Sequence, residues 1–198
     1  SRNTGAKFIY VSSYIYGSPD YLPIDELHPI KAFNPYGLSK CLSEEVCGFY
    51  RDNYSLDVII IRPFNIYGPG QKTNFLIPFI LDQLINGTEV SVKDLGPKRD
   101  YLFISDFVDA MICLSRKEIK SGVYNLGSGV SHSVKEVIDT AQLILNTTHK
   151  VFETGERRGN EVMNVIANIG VISEACGWKP KWGIQDGLAA CIDKLKTD

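Results

Sequence analysis

Tyr36 and Lys40 stand four residues apart in Tyr36-Gly37-Leu38-Ser39-Lys40, and on a helix that spacing puts a phenol and an ammonium on one face. A cation beside a phenol favours the phenolate, so Tyr36 could take a proton from a substrate hydroxyl. Taken alone the pair is weak, because a chain with 10 Tyr and this much Lys holds roughly one such pair by chance. Ser12 and Ser13 close a short β-rich run over residues 7–11. Ligand crevices of open α/β sheets lie beyond the carboxyl ends of the strands, where a Ser hydroxyl can bond an oxygen as charge develops on it. Asn65, in Arg62-Pro63-Phe64-Asn65-Ile66-Tyr67-Gly68-Pro69-Gly70, follows a second strand-like run and is expected at the same sheet edge as Ser12. Arg99 and the pair Arg157-Arg158 read as polar-loop residues, where a guanidinium can clamp phosphate through two parallel bonds. Singly, each of these has a plainer explanation: a turn-forming Ser pair, or a solvated Arg.

The elements that must hold these side chains follow from periodicity and caps. Residues 7–11, 56–62 and 123–126 are expected as strands, the second apolar at consecutive positions as in a sheet covered on both faces. Leu38, Cys41, Leu42, Val46, Phe49 and Tyr50 recur at helical spacing and predict a helix from 36 to about 52. Further helices are expected over 75–86, stopped by Gly87; from a cap at Ser105 or Asp106; and from a capping box at Ser133 and Glu136 to about 146. Asn168 is expected to cap a short helix ended by Gly177, and a last amphipathic helix to cover 184–195. Strands separated by helices imply a parallel sheet with right-handed crossovers, whose strands end at Ser12, Arg62 and Leu126 on one side. A buried strand needs neighbours on both edges, so part of the sheet is expected to lie outside this sequence.

Composition excludes several classes. At 198 residues the chain fits one domain, or a domain with a small lobe. A net charge of −2 gives no reason to expect nucleic acid or an anionic membrane as partner. The run Val58-Ile59-Ile60-Ile61 is too short to span a bilayer, and residues 1–6 lack the apolar core of a signal peptide. The five cysteines show no CxxC spacing and are expected to be free thiols in a reducing cytoplasm.

Taken together, the motifs resemble the extended short-chain dehydrogenase/reductase family, the NAD-dependent epimerases and dehydratases of nucleotide sugars, and among them the UDP-glucose 4-epimerases. Val11-Ser12-Ser13-Tyr14-Ile15-Tyr16-Gly17 is similar to the family's active-site serine strand, and Asn34-Pro35-Tyr36-Gly37-Leu38-Ser39-Lys40 to its YxxxK helix. Arg62 through Pro69 resembles its RxxNxYGP segment, Arg99-Asp100-Tyr101 with Asp106 its RD(F/Y)xxxxD element, and Tyr124-Asn125-Leu126-Gly127-Ser128-Gly129 its YNxGSG turn. Arg157-Arg158-Gly159 and Gly177-Trp178-Lys179-Pro180 are similar to its substrate-lobe markers. The motifs occur in family order across nearly the whole chain.

The resemblance implies an α/β fold: the C-terminal part of a Rossmann-like doubly wound parallel sheet with a smaller substrate-binding lobe. Residues 1–65 and 99–128 would form the partial dinucleotide-binding domain, and 66–98 and 129–198 the lobe. It implies Tyr36 as base and Lys40 on the cofactor ribose, with Ser12 or Ser13 as the active serine. Counting back from Tyr16 selects Ser12, whereas strand register also allows Ser13. Asn65, Arg99, Arg157 and Tyr14 would contact substrate, a nucleotide-diphosphate sugar; NAD or NADP would be the cofactor; no metal is implied. A cytoplasmic homodimer is expected for the full-length protein. The family's GxxGxxG motif does not occur here, so the chain is expected to be a piece of a longer protein and inactive alone. Dehydratases of the family carry Asp-Glu where this chain has Ser13-Tyr14, and its decarboxylases a Glu at the second of these positions. The favoured activity is therefore 4-epimerisation. A 4-ketosugar reductase is the alternative, and a non-catalytic dinucleotide or sugar-nucleotide sensor is the reading outside enzymes.

Overall fold

The computed structural model describes residues 5–156 and 161–197. In chain order the elements are β1 (Phe8–Val11), α1 (Pro35–Tyr54), β2 (Val58–Pro63), β3 (Asn65–Tyr67), α2 (Leu76–Asn86), β4 (Glu89–Val92) and β5 (Lys98–Phe103). They continue with α3 (Ile104–Leu114), β6 (Gly122–Leu126), β7 (Ser131–Ser133), α4 (Val134–Leu145), β8 (Lys150–Glu153), α5 (Gly170–Cys176) and α6 (Ile184–Thr197). No helix among the described residues is long and apolar enough to cross a membrane.

The three expected strands form one parallel sheet in the order β1-β2-β6. All six residues of β2 are buried, which suits its run of β-branched side chains to a central strand. Register pairs Val11 with Ile61 and Pro63 with Leu126, so the carboxyl ends lie side by side as expected. Five further strands escaped the periodicity reading because they are short or polar. β3 pairs in parallel with β5, β5 in antiparallel with β7, and β4 in parallel with β8.

Helix α1 begins where Asn34 accepts from the Gly37 N–H at 2.7 Å and Pro35 needs no donor of its own. Its apolar stripe does not face the sheet. Leu38, Leu42, Val46 and Phe49 are about half exposed, and the buried residues are Gly37, Glu44 and Cys47. The helical period was read correctly, but the side turned inward carries a carboxylate. The capping box of α4 forms as expected, with Ser133 accepting from the Glu136 N–H and Glu136 from the Ser133 N–H.

Helix α3 corrects an expectation. It starts at Ile104 straight out of β5 with Phe103 as cap, so Ser105 and Asp106 lie in its first turn. Asp106, buried, instead accepts from the N–H groups of Lys181 and Trp182 at 3.0 Å and so ties α3 to the segment before α6. Asn168 lies one residue before the cap of α5 but still accepts from Gly170 N–H at 2.8 Å. A second correction concerns thiols. Cys113 on α3 and Cys176 on α5 are joined as a disulfide, with Cα atoms 6.3 Å apart. The two helices meet in the core beneath the main sheet, which 63 residues of sequence separation did not reveal.

Two large apolar clusters organise the rest. One joins α2, α4, α6 and β4 around Ile80, Leu81, Val137, Ile138 and Leu188. The other packs α3 and α5 beneath β2 and β6 around Ile59, Ile61, Leu102, Leu114 and Ile172. Asp100, fully buried in β5, ties the turn after β6 to the segment ahead of α5: its carboxylate accepts from the N–H groups of Ser128, Gly129 and Ala167 and from the Ser128 hydroxyl, at 2.6–3.0 Å. A Cβ on Gly127 would come within 2.7 Å of that carboxylate, so the turn needs glycine to close on it.

Asp100→Ala should therefore strand three backbone donors in the interior. Each costs about 1–3 kcal/mol when left unpaired, so the variant is expected to lose at least about 3 kcal/mol. Urea unfolding followed by circular dichroism measures this; a loss below about 1 kcal/mol would show that the carboxylate is not what holds the turn.

Candidate active site

Ser12 is the first residue after β1, and its N–H donates to Ile61 O at 2.7 Å, so the main chain follows β2 one step further. Its side chain is 3% exposed, and Oγ is buried with no hydrogen-bond partner among the described residues. An unpaired buried hydroxyl is costly, which makes it a group prepared for a partner. Ser13 beside it is half-buried. The amino-terminal end of α1 lies over this strand end. Lys40 Nζ donates to Val11 O at 3.0 Å, and sits 5.6 Å from the centre of the Tyr36 ring and 5.2 Å from that of Tyr10. An ammonium has three donors, so this contact leaves capacity for further acceptors. Tyr36 is 60% exposed, its phenol open to a ligand. Fold and helix period together thus bring Ser12, Tyr36 and Lys40, spread over 29 residues, to one end of the sheet.

Tyr14 lies next to them. Its hydroxyl donates to Gly17 O at 2.6 Å, and its ring meets those of Tyr16 and Phe64 edge-on, with centroids 5.7 and 5.4 Å away. Burial pushes its phenol up to about 12, against the opposing charge of Arg99. At neutral pH Tyr14 is therefore a fixed, uncharged wall.

Beyond Tyr14 a cleft of about 690 Å³ opens between β3, β5 and the start of α2, lined among others by Asn65, Gln71, Phe75, Lys93, Arg99 and Tyr101. Asn65 heads β3 opposite Tyr101, and its amide donates to Asp100 O at 3.2 Å. Arg99 is not in a loop as expected. It belongs to β5, whose opening residues Lys98-Arg99-Asp100 are too polar to read as a strand. Its guanidinium donates to Lys98 O at 2.9 Å and also binds Val162 O and the Glu161 carboxylate. Arg157 lies outside the described residues.

Two cleft residues were not anticipated. Glu161 occupies the Arg99 guanidinium and is one-fifth exposed. Tyr101 has a buried hydroxyl without a partner among the described residues, and burial pushes its phenol up to about 12, with Arg99 opposing. Alternation in a strand places Arg99 and Tyr101 on one face, a signal available once β5 is seen as a strand. The arrangement can do two things. At the strand ends it offers an exposed phenol, an ammonium and a hydroxyl without a partner among the described residues; in the cleft it offers a cation and an amide to an anionic group.

The GDP-mannose 4,6 dehydratase family matches residues 1–191. A Methanocaldococcus jannaschii protein, provisionally named a UDP-glucose 4-epimerase, is 30% identical over 198 residues, covering 97% of this chain and 64% of its own length. The GDP-6-deoxy-D-mannose reductase of Pseudomonas aeruginosa is 29% identical, covering 100% of this chain and 68% of its own. Among solved structures, RMD of Pseudomonas aeruginosa complexed with NADPH superposes with a TM-score of 0.91 at 28% identity, over 96% of this chain and 67% of that one. The chain thus spans under two thirds of the length of the archaeal relative.

The state of Tyr14 is directly measurable. With its phenol raised to about 12, Tyr14→Phe should leave the tyrosinate absorbance developed by pH 11 nearly unchanged. Loss of one full tyrosine's signal by that pH would mean that Tyr14 ionises like a solvated phenol.

Proposed function

The chain belongs to the GDP-mannose 4,6 dehydratase family, within the extended short-chain dehydrogenase/reductases that act as NAD-dependent epimerases and dehydratases; from that premise we propose that the whole protein is an NAD(P)-dependent nucleotide-sugar 4-epimerase. The observation that carries this reading is the meeting of Tyr36 and Lys40 with the unpartnered, buried Ser12 hydroxyl beside a cleft containing Arg99 and Asn65. It favours Ser12 over Ser13 as the active serine.

In this reading Tyr36 removes the proton of the sugar 4-hydroxyl, and the Ser12 hydroxyl donates to the same oxygen as it becomes a carbonyl. The donors of Lys40 left free by Val11 hold the ribose of the cofactor. The residues at the strand ends fit the nicotinamide end of NAD or NADP, since they present one cation and two hydroxyls at the crevice where such folds bind dinucleotides. When bound, that cofactor supplies an acceptor for the hydride of C4 and its return. Asn65, Arg99 and Arg157 hold the diphosphate, so the sugar can turn while its nucleotide stays anchored. Tyr14 walls the sugar site. Residues 1–65 and 99–128 are assigned to the partial dinucleotide-binding domain, at whose borders Asn65 and Arg99 stand, and 66–98 and 129–198 to the substrate-binding lobe.

A second reading is a 4-ketosugar reductase, which needs the same Tyr36, Lys40 and Ser12. It is kept because the relatives include reductases such as the GDP-6-deoxy-D-mannose and dTDP-4-dehydro-6-deoxyglucose enzymes. Dehydration is disfavoured: Ser13 and Tyr14 offer no carboxylic acid, and the Tyr14 phenol is spent on Gly17 O. The exposed stripe of Leu38, Leu42, Val46 and Phe49 on α1 supports a homodimer for the full-length protein.

In the full-length enzyme, Tyr36→Phe should lower turnover by about 10²- to 10⁴-fold, the scale of lost acid–base catalysis. Ser12→Ala should cost far more than Ser13→Ala. Steady-state kinetics with nucleotide sugars decide, and near wild-type turnover in Tyr36→Phe would sink the assignment. An epimerase equilibrates the C4 epimers, followed by NMR, without net loss of cofactor; stoichiometric consumption of NAD(P)H would favour the reductase. Arg99→Ala should weaken binding of the nucleotide sugar much more than of the free sugar. In calorimetry, equal wild-type affinity for both would exclude a diphosphate site.

A further inference from the structure

The carboxylate turned inward from α1 has a partner that the mechanism above leaves unused. Glu44 and Arg62 are 7% and 4% exposed, and they meet through Nη2–Oε2 at 2.6 Å and two Nε contacts at 3.1 Å. The same guanidinium reaches the other way. Its Nη1 donates to the Tyr16 hydroxyl at 3.0 Å and to Glu26 O at 3.2 Å. Tyr16 in turn donates to Asn125 Oδ1 at 2.6 Å, and Asn125 Nδ2 donates to Ile24 O at 3.0 Å. One buried cation therefore grips the helix that carries Tyr36 and Lys40 and, with its other nitrogen, the segment running on from Ser12.

Position on the helix makes this grip matter. Tyr36, Lys40 and Glu44 recur at intervals of four and share one face, passing from exposed to buried down α1. The helix has little apolar purchase on the sheet, because its Leu, Val and Phe stripe points outward. A roll of α1 by 10° would move a side-chain tip about 6 Å from its axis by about 1 Å, and a misplacement of that size can cost about 100-fold in rate. Hydrophobic contacts tolerate such a roll, whereas a forked ion pair with a planar guanidinium does not. A buried ion pair is a poor source of stability compared with apolar side chains of similar volume, so its presence here asks for another role.

We propose, resting on the assignment of Tyr36 and Ser12 above, that Glu44 and Arg62 are positioning residues: the Arg62 guanidinium locks the roll of α1 against the Ser12–Tyr16 segment and so sets the reach from the Tyr36 phenol to the oxygen that Ser12 bonds. They touch neither substrate nor cofactor and act only through Tyr36.

The test uses the full-length enzyme with Glu44→Gln, the apolar pair Glu44→Leu with Arg62→Met, and each of these combined with Tyr36→Phe. Glu44→Gln and the apolar pair should lower kcat by about 10- to 100-fold while KM for the nucleotide sugar stays within about threefold. In the Tyr36→Phe background the same changes should cost less than about threefold, because a displaced base that is already absent cannot be lost again. A cooperatively melting apolar pair with wild-type kcat overturns the proposal, as does a loss that repeats in full in the Tyr36→Phe background. If the apolar pair fails to melt cooperatively, Glu44→Gln alone decides by the same two criteria. Should Tyr36→Phe itself retain wild-type turnover, the functional assignment falls first. If Tyr36→Phe collapses turnover and the Glu44 variants do not, only the positioning role is lost.

Discussion

The parallel pairing of β1, β2 and β6 is the constraint on which the rest depends. β2 is buried along its whole length, so its backbone must be satisfied from both sides. Parallel register then ends three chains at one edge. Ser12 leaves β1 there and bonds Ile61 O; Phe64 leaves β2 and bonds Leu126 O. Helix α1 is attached at this edge by the bond from Lys40 to Val11 O and by the ion pair of Glu44 with Arg62 of β2.

Polar side chains add directional joins to the apolar packing between layers. Asp100 binds the turn after β6 and the segment ahead of α5, and Asp106 binds the approach to α6. Each carboxylate serves backbone N–H groups that would otherwise go unpaired at a chain reversal, which is the condition under which a charge can be held in the interior. Arg62 joins α1 to the active-site segment by donating to the Glu44 carboxylate, the Tyr16 hydroxyl and Glu26 O. These joins are directional, so they hold angles as well as distances, whereas the two apolar clusters supply area without fixing orientation.

Electrostatics divide the site into two halves. At the strand ends Lys40 lies 5.2 Å from the centre of the Tyr10 ring and 5.6 Å from that of Tyr36. In the cleft Arg99 is held by Glu161, so an anionic ligand that engages Arg99 must replace a carboxylate already there. Burial pushes the phenols of Tyr14, beside Phe64, and of Tyr101, in the cleft, up to about 12.

Local pattern carried much of this into the sequence. The capping box at Ser133, the Asn34-Pro35 start of α1, the apolar run of β2 and the glycine stop after Asn86 all act within a few residues of themselves, and the chain obeyed them. The spacing of Tyr36 and Lys40 is of the same kind. Strands whose residues are polar for reasons outside the strand could not be read: Lys98-Arg99-Asp100 belong to β5 because Asp100 and Arg99 find partners 28 to 67 residues away. Tertiary structure alone decided which side of α1 faces inward, since the apolar stripe lost to an ion pair between residues 18 apart. It alone joined Cys113 to Cys176 and left the Ser12 hydroxyl buried without a partner among the described residues. Helical and strand periods, caps and breakers are short-range and are written along the chain; the identity of a buried partner depends on which elements pack together, and that is settled only when the chain has folded.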